Sequence, residues 1–233
     1  MTGSLVSIVV AVYNGAPFLA EALDSALGQD YTPLEVVVVD DGSTDATPDV
    51  IARYPEVVAL RQSNAGPGAA RNTGIAAARG EFIAFVDADD LLPIGKLSVQ
   101  VGYLHDHPEV SVVLGRQETR VEGGLGEPHW VERPIWLPRT IRWDGRDQIP
   151  PMTMVARREV FDRVGAFDTR FRSADDLDWL LRAHEVGVGL AMVDDVVLTR
   201  RIHGNNLTAD PAVQAREMLM CLRARLERAR AGR

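Results

Sequence analysis

Glu81-Phe-Ile-Ala-Phe-Val-Asp-Ala-Asp-Asp-Leu-Leu92 is the stretch on which the fold turns. Four of the five residues Phe82 to Val86 are bulky and strand-favouring, and the run halts on Asp87, Asp89 and Asp90. A continuous apolar run predicts a strand buried on both faces of a parallel sheet, and such sheets bind ligands beyond the carboxyl ends of their strands. Three carboxylates held this close repel one another unless a cation or proton intervenes, and Mg²⁺ and Mn²⁺ prefer oxygen ligands. Taken alone, the same residues also read as a solvated acidic turn that caps the next helix, so the surrounding chain has to decide.

Working outward, Ser7-Ile-Val-Val-Ala-Val-Tyr13 reads as a first strand broken by Asn14-Gly15. A helix is expected over Pro17 to Leu27, whose apolar residues fall on one face. Leu34 to Val39 is a second strand ending on Asp40-Asp41-Gly42-Ser43, with a short helix to about Ala52. Val57 to Leu60 is a third strand and Gly68 to Ala78 a helix, which makes Phe82 to Val86 the fourth strand. A helix over Ile94 to His107 and a strand over Val110 to Leu114 follow. Strands and helices alternating at this spacing predict an α/β fold with a Rossmann-type, mostly parallel sheet flanked by helices.

Beyond Gly115 the texture changes. Gln117 to Gln148 is rich in glycine and proline, shows little periodicity and carries Trp130, Trp136 and Trp143, as functional loops do. Exposed, those indoles would suit a sugar, and buried, they would simply pack. Regular structure resumes at Met152 to Ala156, with a helix over Arg158 to Val164 and a second acidic cluster, Asp175-Asp176-Leu177-Asp178. Trp179 to Glu185 reads as helix, Leu190 to Leu198 as strand and Arg200 to Asn206 as a polar loop. The final helix, from about Pro211, places Leu219, Leu222 and Leu226 on one face among several arginines, the pattern of a solvated surface helix or of one lying on an anionic membrane. Neither a repeat nor a linker divides the 233 residues, so one domain is expected.

Bulk composition narrows the classes. The formal charge is −8, from 25 basic and 33 acidic residues, which argues against a nucleic-acid partner. Cys221 is the one cysteine, so neither a disulfide framework nor a thiolate zinc site is available, and a cytoplasmic location is expected. Met1 to Leu5 has no charged leader and Val6 to Val12 is too short for a span, leaving at most peripheral membrane contact.

Every strand end in the first half carries polar chemistry. Tyr13 offers an aromatic face for a base, or packs. Asp41 can accept a ring N–H, which would select uracil or another base with an imino proton, while Asp40 is suited to capping the turn at Ser43. Asp87 can take ribose hydroxyls and Asp89 a metal bound to a diphosphate. Arg71, after Gly66-Pro67-Gly68, can pair with phosphate or hold the loop through a carboxylate. A dinucleotide fold would need Gly-x-Gly-x-x-Gly after the first strand and a P-loop Gly-Lys-Ser/Thr, and Tyr13-Asn14-Gly15-Ala16-Pro17 is neither. A phosphatase using Asp-x-Asp as nucleophile would carry that motif on its first strand, not its fourth.

At these positions the sequence resembles the family 2 glycosyltransferases of GT-A fold. The likeness is carried by residues 6–14, 38–45 and 64–74, by Gly80 to Asp90, by Gly165-Ala-Phe-Asp168 and by Asp175 to Arg182, in order and suitably spaced. It implies transfer of a sugar from a nucleotide-diphosphate sugar, a UDP-sugar being favoured, to a glycan, lipid-linked, peptide or small-molecule acceptor, with inversion. By that likeness Asp89 is the ligand of a Mn²⁺ or Mg²⁺ cofactor and His203 lies beside it near the diphosphate. Ala11, Tyr13, Asn14, Asp41, Arg71, Asp87 and Ala88 form the nucleotide site, and Asp176 is the general base, with Asp175 standing where the family has Glu. The same likeness divides the domain into a nucleotide-sugar half (1–115), an acceptor half (116–210) and a C-terminal helix (211–233). An acceptor hydroxyl needs a carboxylate to take its proton and a departing diphosphate needs its charge offset, so two separate acidic sites make sense. A nucleotidyl or phosphoryl transferase using the same aspartates, and a silent nucleotide-sugar binding module, are the rival readings.

Overall fold

The computed structural model describes residues 3–122, 151–204, 206 and 211–231. Seven strands form one sheet: β1 (Val6–Val12), β2 (Leu34–Asp40), β3 (Val58–Arg61), β4 (Phe82–Asp87), β5 (Val112–Val121), β6 (Val155–Arg157) and β7 (Leu190–Ile202), in the order β3-β2-β1-β4-β6-β5-β7. The helices are α1 (Leu19–Leu27), α2 (Thr47–Ile51), α3 (Pro67–Ala77), α4 (Lys96–Asp106), α5 (Glu159–Val164), α6 (Asp175–Glu185) and α7 (Pro211–Ala231). β3, β2, β1 and β4 are mutually parallel, β5 and β7 are parallel, and β6 runs antiparallel to both of its neighbours. The expected mostly parallel sheet between helical layers is therefore present, with β6 reversed between β4 and β5.

Alternate residues of the central strands feed two cores. Val6, Ile8, Val10 and Val12 of β1 pack with α1 and α4, while Val9 packs with Val37, Ile83 and Phe85 on the other face, under α3, α5 and α6. Burial on both faces is why these strands read as unbroken apolar runs. α3 lies unusually close to β1, because a Cβ at Gly74 would come within 2.3 Å of Val9. That approach is open only to glycine.

Register sets the site. Ala11 pairs with Asp87, Val12 with Asp40, and Asp40 with Arg61, so the ends of β1 to β4 come level along one edge. β7 runs parallel to β5, and its end delivers His203 to the same edge.

Two expectations change. β5 continues to Val121, through residues expected to be irregular, because β7 offers a partner as far as Ile202; a bulge at Arg116 breaks the periodicity that would have shown it. β7 continues past Leu198 to Ile202 and takes in Arg200 and Arg201, which had read as loop. Asp175, Asp176 and Asp178 lie in the first turn of α6, which continues through Glu185 as expected. Trp130, Trp136 and Trp143 lie outside the described residues, and among the described residues no helix is long and apolar enough to cross a membrane.

Candidate active site

The turns after β1 and β2 are laced together. Asn14, at φ 52°, accepts the Thr44 N–H at 2.8 Å on its side-chain oxygen and donates its own N–H to the Ser43 hydroxyl at 2.9 Å. Gly15 donates to Thr47 at 3.0 Å. Tyr13 is left 51% exposed at the end of β1, its ring free to meet a ligand. Asp40 accepts the Ser43 N–H at 2.8 Å and so closes the turn. Asp41 is buried and accepts from Ala65 N–H at 2.9 Å, Gly66 N–H at 2.8 Å and the Gln62 amide at 2.8 Å. A carboxylate has about four acceptor positions, and Asp41 commits three of them to anchoring the 62–66 loop.

Arg71, on α3, joins two parts of the molecule. It is 6% exposed, with Nη2 2.7 Å from Asp87 Oδ1 and Nη1 2.6 Å from Asp175 Oδ2. Burial opposes its charge, but Asp175, Asp87 and Asp176 outweigh burial and hold the guanidinium more firmly protonated than usual. Asp175 is 1% exposed and lies against Gly68, where a Cβ would stand 3.2 Å from its Oδ2. Asp87, by contrast, keeps 36% of its side chain open.

Beyond Asp87, the chain turns through Ala88 and brings oxygens of Asp87, Asp89 and Asp90 within 4.8 Å of one another. Burial first, and then the charge of Asp87, pushes the Asp89 and Asp90 carboxyls up, Asp90 well above the usual range. Such a set of hard oxygens, each ionised at the others' expense, fits a Mg²⁺ or Mn²⁺ ion. Asp89 Oδ2 meets His203 Nε2 at 3.1 Å and Asn206 Nδ2 at 2.9 Å. His203 in turn stacks on Phe18, with ring centroids 4.3 Å apart.

Arg201 underlies this turn and is 1% exposed. Its N–H donates to Asp90 at 2.9 Å, its Nε to the Asp89 carbonyl, its Nη1 meets Glu21 at 3.0 Å, and its guanidinium lies 5.0 Å from the Phe18 ring centre. Neither Arg201 nor Asn206 stands out in the sequence as a site residue. The signal for Asn206 was its place three positions after His203; Arg201 gave none, since a lone arginine in a polar stretch reads as solvated.

The second acidic cluster divides by burial. Asp178 is locked by Arg182 at 2.8 Å and Arg228 at 3.2 Å. Asp175 is locked by Arg71. Asp176 alone of the three remains partly open to solvent, and its carboxyl is pushed up to about 7, first by the burial around it and then by Asp175. A carboxylate with that affinity is suited to taking a proton at neutral pH.

Comparison with known proteins agrees with this geometry. The model of the family described as glycosyl transferase family 2 matches residues 7–165. The uncharacterized protein Rv1520 of Mycobacterium tuberculosis is 34% identical over 214 residues, covering 86% of this chain and 60% of its own. The glycosyltransferase EpsJ of Bacillus subtilis is 29% identical, over 89% of this chain and 64% of its own. Among solved structures, S. aureus TarS 1-349 in complex with UDP-GlcNAc superposes with a TM-score of 0.69 at 26% identity, over 86% of this chain and 59% of that one. The mannosyltransferase PcManGT from Pyrobaculum calidifontis, in complex with GDP-Man and Mn²⁺, gives 0.66 at 26% identity, over 95% and 64%. The chain thus spans about 60% of the length of relatives such as Rv1520 and TarS. With the family model matched from β1 to α5, this chain belongs to glycosyl transferase family 2.

Proposed function

We propose that this chain moves a glycosyl group from a nucleoside diphosphate sugar to an acceptor hydroxyl in one inverting displacement. The observation that carries the reading is the Arg71 bridge, which fixes a diphosphate-type acidic site at Asp87 within one guanidinium of a base-type site at Asp175-Asp176. Tyr13 stacks on the base and Asp41 accepts its ring N–H, which favours a uridine nucleotide; Ala11, Asn14 and Ala88 line the same edge. Asp87 receives ribose or sugar hydroxyls through its open oxygen. Asp89, with Asp90 and His203 beside it, holds Mn²⁺ or Mg²⁺. A cation held there would supply positive charge to offset that gathering on the departing diphosphate.

Asp176 takes the acceptor proton as the acceptor oxygen bonds to the anomeric carbon and the bond from that carbon to the diphosphate oxygen breaks. Attack comes from the face opposite the leaving group, so the configuration inverts, by the same logic as paired carboxylates on opposite faces of a sugar. Asp175 is the positioning partner: fully buried and ion-paired, it holds Arg71 and leaves the accessible role to Asp176. A nucleotide-sugar substrate and a single buried cysteine both suit the cytoplasm. A thermal-shift screen of UDP-sugars and GDP-sugars with Mn²⁺ and with Mg²⁺ tests the reading. A metal-dependent rise in melting temperature with one nucleotide class is the expected result, and a flat response to all would overturn it.

A further inference from the structure

α7 is attached by one face. Glu217 and Cys221 are buried, and Arg228 reaches Asp178 at 3.2 Å and Glu185 at 2.7 Å. At 100° per residue, Leu219 and Leu226 fall on the far side of the helix from Glu217 and Cys221. There they are 55% and 58% exposed, and Met218 is 43% exposed. A docked surface helix ordinarily buries its leucines, whereas α7 buries Glu217 and leaves Leu219 and Leu226 exposed.

Alongside these leucines run Arg216, Arg223 and Arg230, seven positions apart and therefore nearly in line along the helix. All three are exposed, and none forms an ion pair among the described residues. Glu217 is turned inward, and Glu227, exposed at the margin of the arginine row, lines a cavity of about 360 Å³ with Asp168 and Arg170. On a chain of formal charge −8, the described outward residues of α7 form a strip of leucine and arginine with Glu227 at its edge.

We propose that this face lies on an anionic lipid surface, with the leucines entering the headgroup boundary and the arginine row meeting lipid phosphates. The charge pattern selects this occupant. Leucines beside a row of arginines match an interfacial helix, whereas the net negative charge of the rest of the chain would keep the protein off such a surface anywhere else. The N-terminal third of α7 touches the loop that enters α6, since Glu217 accepts the Ser173 N–H at 2.7 Å, so a membrane beneath α7 runs beside the acid pair.

Sedimentation with vesicles tests this without reference to catalysis. The full chain should sediment with vesicles of phosphatidylcholine mixed with phosphatidylglycerol, stay in solution with phosphatidylcholine alone, and be released by high salt. At about fivefold per arginine, the triple variant R216Q/R223Q/R230Q should bind about a hundredfold more weakly. The L219D/L226D variant should also lose binding while its circular dichroism melt stays unchanged, because the docked face is untouched. Equal binding to both vesicles, or no binding to either, overturns the proposal. So does a dimer of the unaltered chain that L219D/L226D converts to monomer, since the face would then be an interface between copies.

Discussion

Asp87 and Asp175 grip opposite edges of one guanidinium, that of Arg71, at 2.7 and 2.6 Å, although one ends β4 and the other opens α6. The bond network is the shortest physical link between the two acidic sites. Removing the cation leaves Asp175 buried and unpaired, which costs about 3–5 kcal/mol. Arg71→Met should therefore lower the urea midpoint markedly. Arg71→Lys should lower it less, since a point charge meets one carboxylate but cannot fork to two. Equal midpoints for Arg71→Met and the unaltered chain would remove the bridge from the account.

Asp89 is the carboxylate with the most contacts to the 201–206 segment, and its ionisation is opposed by burial and by Asp87. Asp89→Asn keeps the Asn206 and His203 neighbours but removes a charge, so Mn²⁺-dependent binding of a nucleoside diphosphate should weaken by tenfold or more. Titration calorimetry with UDP, with and without Mn²⁺, reads this directly. Undiminished metal dependence in the variant would place the ion elsewhere.

Asp176 ties activity to pH. With its carboxyl pushed up to about 7, transfer should fall as pH drops through that value, close to tenfold per unit below it. Asp176→Asn should keep donor binding and abolish transfer. The stability sign runs the other way. The folded chain holds this proton up to about 7, whereas the unfolded chain releases it near the ordinary aspartate value, so folding weakens as pH rises between the two. Asp176→Asn should therefore gain more melting temperature over the unaltered chain at pH 8 than at pH 5. A constant difference would mean that Asp176 is not perturbed.

Sequence legibility followed burial. β1, β2 and β4 were readable because both faces are covered and most of their residues are apolar, and the acids that follow were readable because the runs stop on them. The far end of β5 was hidden, since residues 117–121 are polar along an edge and the bulge at Arg116 shifts the pattern. Arg201 was hidden for a different reason. A lone arginine signals solvent unless its partners are known, and these come from α1, from Phe18 and from the turn after β4. The difference in burial between Asp175 and Asp176 was likewise closed to sequence, because it depends on which of them reaches a cation on α3.

Glu217 links α7 to the acid pair. Its carboxylate accepts the Arg172 N–H at 3.0 Å, the Ser173 N–H at 2.7 Å and the Ser173 hydroxyl at 2.9 Å, just ahead of Asp175. Hydrogen bonds to a buried charge are worth about 1.5–3 kcal/mol each, so Glu217→Ala should loosen this loop. The expected signature is a several-fold fall in kcat with donor KM unchanged, partly restored by Glu217→Gln, which keeps an acceptor oxygen. A rise in donor KM instead would mean that Glu217 serves the nucleotide half.

Lys96 is a cation buried without a carboxylate. It is 1% exposed, and its Nζ donates to Gln100 Oε1 at 2.7 Å and to the Thr153 carbonyl at 2.8 Å, which lets a neutral amine use both of its hydrogens. Burial lowers its pKa to about 7. Above that value the unfolded chain still binds the proton and the folded chain does not, so stability rises with pH until the ordinary lysine value is reached. Below it both states are charged, and the fold carries a buried ammonium. Lys96→Met removes the titration while filling similar space. The unfolding free energy of the unaltered chain should thus gain on the variant by about 1 kcal/mol per pH unit from 7 to 9, measured by urea denaturation at each pH. Parallel pH profiles for the two proteins would show that Lys96 keeps its proton in the core, and the Gln100–Thr153 network would then be holding a charge.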